Sequence, residues 1–95
     1  MARTTALPAA PADETAEVRG MNPPVGTSTP AEAIKVVEAM VGIAVSHGDT
    51  RKQALARALD IIMKLGRESM LAKREAHATD YRLQYRVALA LYKQA

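Results

Sequence analysis

Residues 34–46 read IKVVEAMVGIAVS, and no other stretch narrows the possible folds of this chain so much. Wound as a helix at about 100° per residue, Ile34, Val36, Val37, Met40, Val41, Ile43, Ala44 and Val45 fill an arc of roughly 200°. Only Lys35, Glu38, Gly42 and Ser46 remain for a polar strip. A helix at the edge of a monomer needs about half that apolar width, so this one must be covered from two sides. One cover is a neighbouring helix; the other comes from the 80–94 segment of the same chain or from another subunit.

The rest of the chain has few ways of supplying that cover. With 95 residues it is at most one small domain, whose folding buries a smaller share of surface than a larger protein's. It contains no Cys, Phe or Trp, and its only aromatics are Tyr81, Tyr85 and Tyr92. Disulfides and zinc–thiolate centres are therefore excluded, and the core must be made of Ala, Val, Ile, Leu and Met. Such side chains favour close-packed helices, and self-association is the remaining staple for so small a scaffold. The expected fold is all-α: a helical hairpin plus a C-terminal amphipathic helix, with a disordered N-terminal arm.

Local signals place these elements. Thr29 followed by Pro30 and Glu32 has the Thr-x-x-Glu spacing of a capping box, with Pro at the first helical position where its missing N–H costs nothing. The helix is expected to end near Ser46, with Gly48 taking positive φ in the turn. Asp49 or Thr50 then caps a second helix, Thr50 and Gln53 repeating the box spacing, so the connection is very short. From Arg51 onward, Leu55, Leu59 and Ile62 lie beside Ala54, Ala58, Ile61 and Leu65 as one broad apolar face. Gly66 is either a hinge or a tolerated residue costing about 1 kcal/mol relative to Ala.

The final amphipathic stretch sets Tyr81, Tyr85, Leu89 and Tyr92 next to Leu83, Val87 and Leu91, with Thr79 or Asp80 as its expected cap. Heptad phase fails across the whole 51–94 region, since positions in step with Leu59 read Gly66, Lys73 and Asp80. A long uniform coiled coil is therefore rejected in favour of two packing blocks separated by a bend or a solvated stretch.

Charge is unevenly spread. Residues 1–29 carry Arg3 and Arg19 against Asp13, Glu14 and Glu17; residues 30–50 carry Lys35 against Glu32, Glu38 and Asp49. Residues 51–95 hold ten Lys and Arg against four acids, a net +6 beside −1 and −2 for the other two regions. Rich in Ala, Pro and Thr and without periodicity, residues 1–29 cannot bury enough apolar surface to offset the entropy of ordering. They are expected to be a flexible arm ending in an extended linker, beside a single helical domain of residues 30–95.

No constellation for chemistry is found. His47 and His77 stand 30 residues apart, and the glycines are too dispersed for a phosphate loop. No catalytic residue, metal ligand, cofactor site or small-molecule substrate is expected. Nothing approaches the ~20 apolar residues of a membrane span. The acids at 13, 14 and 17 and the lack of an apolar stretch behind Arg3 argue against a targeting peptide, so a cytoplasmic origin is expected.

The expected role is that of a non-enzymatic structural or interaction protein. It would self-associate, or dock into a larger assembly such as a virion or nucleoprotein particle, through Ile34, Val37, Met40, Val41, Val45, Leu55, Leu59 and Ile62. Val37→Asp or Val41→Asp would then abolish assembly. The alternative is a small basic nucleic-acid-binding or regulatory protein using Arg82, Arg86 and Lys93 as phosphate or acidic-partner contacts, weak and salt-sensitive.

Overall fold

The computed structural model describes residues 24–95, and over that range the protein is all-α. Three helices follow one another: α1, Pro30–Ser46; α2, Arg51–Leu71; and α3, Glu75–Gln94. The expected arm falls largely on residues 1–23, which lie outside the described residues.

Both capping boxes form. The Thr29 hydroxyl accepts from the Glu32 amide at 3.3 Å while the Glu32 carboxylate accepts from the Thr29 amide at 2.8 Å. Thr50 and Gln53 exchange the equivalent pair at 3.1 and 2.9 Å. Each box satisfies two amides that the first turn of a helix leaves orphaned. Helix α1 closes as its sequence requires: Gly48 at φ +109° lets its amide reach the Val45 carbonyl and the Asp49 amide reach Ala44. That is the double hydrogen bond of a Schellman turn. Nδ1 of His47 donates to the Ile43 carbonyl at 2.8 Å, tying off one more.

The end of α2 differs from expectation. Gly66 is no hinge, for the helix passes through it to Leu71. Its bare backbone instead faces Tyr81, whose Cβ lies 3.5 Å from where a Gly66 side chain would begin. The chain reverses at Lys73, which takes φ +59°, and the Lys73 and Arg74 amides bond back to the carbonyls of Met70 and Ser69. A second Schellman turn thus forms around a non-glycine residue, where the left-handed backbone costs about 1 kcal/mol. The bend inferred from the broken heptads is this turn.

Neither Thr79 nor Asp80 caps α3, which begins a turn earlier, behind Arg74 and without a side-chain cap. The Thr79 hydroxyl donates within the helix, to the Glu75 carbonyl. Asp80 holds the approach to α1: its carboxylate accepts from the amides of Gly26 at 2.8 Å and Ser28 at 3.3 Å. Pro24–Thr27 forms a turn, with the Thr27 amide bonded to the Pro24 carbonyl and Gly26 at φ +93°. A side chain at Gly26 would meet Ala76 at 3.0 Å, so conformation and space both demand glycine there. Residues 24–29 are accordingly part of the folded domain rather than an extended linker.

The core lies where the three helices meet. Val37 and Val41 from α1, Ala54, Leu55, Ala58 and Ile62 from α2, and Ala88 from α3 are buried together. Small residues at 54, 58 and 88 let the helices approach closely, and Tyr81, Tyr85, Val87, Leu91 and Tyr92 close the rim. Helix α3 packs most extensively on α2 and also covers α1, so the chain supplies its own third helix. That covers only the inner part of the wide α1 arc.

Candidate interaction surfaces

The residues expected to mediate association divide into two groups. Val37, Val41, Leu55 and Ile62 are buried within the chain, and Met40 and Leu59 pack partly against that core. Ile34 and Val45 alone of the eight are exposed. Val36 and Ile43 are exposed as well, on the opposite flank of α1 at about 100° per residue, with Ile61 across the groove and Ile43 64% exposed. The candidate surface therefore moves to the Val36/Ile43 flank of α1. Val37 and Val41 are withdrawn as probes of assembly, since an aspartate at either would be buried in the monomer.

Two grooves run along the flanks of α2. The first, about 370 Å³, lies against α1 and is lined by Met40, Ile43, Ala44 and Ile61, with His47, Asp49 and Arg57 at one end. Its charges are matched. Nε of Arg57 lies 2.6 Å from the Asp49 carboxylate. Beside the turn, both terminal nitrogens of Arg51 engage Glu38 at 2.8 Å, a two-pronged pair that clamps α1 to the start of α2. The hydrogen bond from Arg57 holds the Asp49 carboxyl below its usual range, and Arg51 does the same for Glu38, each against a small opposing effect of burial.

The second groove, about 590 Å³, lies between α2 and α3. Ile62, Gly66, Ala78, Tyr81 and Tyr85 line it together with Met63 and Met70, and it carries three arginines, Arg67, Arg82 and Arg86. No Asp or Glu lines it. Among the described residues none of the three pairs with a carboxylate; two of them rest on thioethers, Arg67 on Met63 Sδ at 3.8 Å and Arg82 on Met70 Sδ at 3.7 Å. Sulfur is a weak acceptor, so these guanidinium groups keep most of their capacity for an anion.

No family model matches the chain, and no curated protein or solved structure is significantly similar to it. The surfaces must speak for themselves.

Of the expected phosphate contacts, Arg82 and Arg86 fall together at this groove, whereas Lys93 lies beyond it near the end of α3. Tyr81 and Tyr85 are half-buried against the core at the floor of this groove, and the Lys52 ammonium sits 4.9 Å above the Tyr92 ring. Arg67 was not expected at the site. Its signal was the i, i+4, i+7 spacing of Met63, Arg67 and Met70, one flank of a helix. Among the described residues no three His, Asp or Glu gather as a metal site, and no helix is long and apolar enough to cross a membrane.

Proposed function

We propose that this chain is a non-enzymatic interaction protein that self-associates through the outer face of α1 and its groove with α2, and in that form builds into a larger assembly. One observation carries the reading: among the described residues Val36 and Ile43 on one flank of α1 and Ile61 across the groove are exposed together, while the largest side chains that are fully buried are Leu55, Ile62 and Val37. Monomers scatter single hydrophobes over their surface, but a contiguous exposed apolar patch marks a contact surface.

Charge favours this face over the other groove for contact between identical copies. In a two-fold contact each patch meets itself, so the matched pairs Arg57–Asp49 and Arg51–Glu38 meet without net repulsion, whereas three arginines would meet three arginines. Ile43 and Val36 stand seven positions apart on one flank of α1, with Ile61 across the groove, as anchors for such a contact.

Light scattering on the eluted full-length chain tests the proposal. The expected result is a salt-resistant multiple of the 10.2 kDa chain mass, reduced to a monomer by Ile43→Asp with the helical circular dichroism unchanged. A monomeric parent at high concentration would overturn the reading. The second reading, weak nucleic-acid contact, draws on Arg67, Arg82 and Arg86 lacking carboxylate partners; it predicts salt-removable absorbance at 260 nm that Arg82→Glu/Arg86→Glu abolishes.

A further inference from the structure

The arginine groove between α2 and α3 is spent neither on the core nor on the proposed contact between copies. We infer that it is the docking site for an acidic amphipathic helix of an unlike protein, about two turns long. Its charge, its floor and its length each point to that occupant.

Arg67 stands on one bank and Arg82 and Arg86 on the other, all three exposed, and among the described residues no Asp or Glu lines the space between them. Arg82 and Arg86 are one turn apart on α3, so they match two carboxylates at i, i+4 on a facing helix, leaving Arg67 for a third on its other edge. A second copy presenting the same groove would add three more cations and is repelled.

The floor favours a peptide over a phosphate chain. Buried Ile62 and Ala78 form its base, and exposed Met63 and Met70 its rim. A nucleic-acid backbone would satisfy the arginines and leave these aliphatic and thioether surfaces in water, whereas an apolar stripe flanked by acids covers both at once. Methionine suits the task, because an unbranched thioether adapts to the side chains it meets. The sulfur contacts of Arg67 and Arg82 do not hold the guanidinium groups back, since a carboxylate is much the stronger acceptor. Length follows from the walls: Met63 to Met70 on α2 and Ala78 to Arg86 on α3 each span about 10–12 Å, two turns of a docked helix.

The test titrates a fluorescent peptide of about fifteen residues, a helical Leu stripe flanked by Glu at i, i+4, into the full chain with isotope-enriched methionine methyls. The Met63 and Met70 resonances should move while that of Met40, at the other groove, stays in place. Replacing Glu by Gln in the peptide, or Arg82→Glu/Arg86→Glu in the protein, should weaken binding at least about tenfold. Arg67→Gln on the opposite bank should weaken it several-fold with the helical circular dichroism intact. Lys35→Glu/Lys93→Glu, an equal change of net charge outside both grooves, should leave it nearly as it was. No movement at about 1 mM peptide would overturn the inference. So would equal affinity for the Gln peptide, or a Met40 shift as large as the other two. Tighter binding of a single-stranded oligonucleotide than of the peptide would also overturn it and give the groove to nucleic acid.

Discussion

The two grooves beside α2 share one wall and much the same apolar chemistry, yet they treat charge in opposite ways. Against α1, two cations near the rim are answered by carboxylates: Arg57 by Asp49 and Arg51 by Glu38. Against α3, Arg67 and Arg82 rest on sulfur, and among the described residues none of Arg67, Arg82 and Arg86 pairs with a carboxylate. An apolar surface with balanced charge is suited to its own kind; one with unbalanced charge is suited to something unlike itself. The difference arises from the α1–α2 turn, which brings an acidic segment against a basic one, while α2 and α3 both draw on the basic half of the chain.

Five substitutions or conditions would break or sharpen that contrast. The largest effect is expected from Leu55→Ala, which opens a cavity in the shared wall and should cost about 2–5 kcal/mol in denaturant unfolding, removing both grooves together. Next, Ile43→Asp should abolish association measured by light scattering while leaving groove binding of an acidic peptide intact. Arg82→Glu/Arg86→Glu should give the reverse, and loss of both activities by either of these two surface variants with the fold intact would refute the division of labour.

Asp80→Ala should cost about 1.5–3 kcal/mol, the worth of hydrogen bonds to a charged acceptor, with hydrogen exchange accelerating first at Gly26 and Ser28. The smallest effect is that of pH. Glu38 and Asp49 have folded carboxyl values depressed by Arg51 and Arg57, so their stabilisation is complete above the unfolded carboxylate range near pH 4 and is lost as pH falls through the lowered folded values. A slight drop in melting temperature between about pH 5 and pH 3 is expected, flatter in Arg51→Ala/Arg57→Ala; an unchanged slope would deny these exposed pairs any role.

Local sequence carried most of the fold because its signals were local. Thr29 with Glu32, Thr50 with Gln53 and Gly48 each act within a few residues, and all took the expected positions. The end of α2 escaped because a Schellman turn ordinarily advertises itself with glycine, and here Lys73 bears the positive φ while Gly66, the apparent breaker, is carried inside the helix. Asp80 had the composition of a cap, yet its partners lie more than fifty residues away. At the surfaces, the apolar width of α1 was readable but not its inner and outer halves, because an arc of about 200° gives no hint of which half α3 will cover. Arg82 and Arg86 were readable as a stripe; Arg67 became their neighbour only once α2 and α3 packed antiparallel.

The late position of α3 along the chain has a consequence for biosynthesis. Translation delivers α1 and α2 first, already capped and joined by a tight turn, with Val37, Leu55 and Ile62 still facing water. At about 5–20 residues per second, the ribosome needs about 1–4 s more to make residues 75–94. During that interval the nascent hairpin offers two wet apolar sides rather than one, and on a polysome the nearest sticky surface is another nascent hairpin. Under the proposed self-association, the hairpin that α3 has not yet covered would pair with copies less selectively than the folded domain, which makes the docking of α3 a matter of yield.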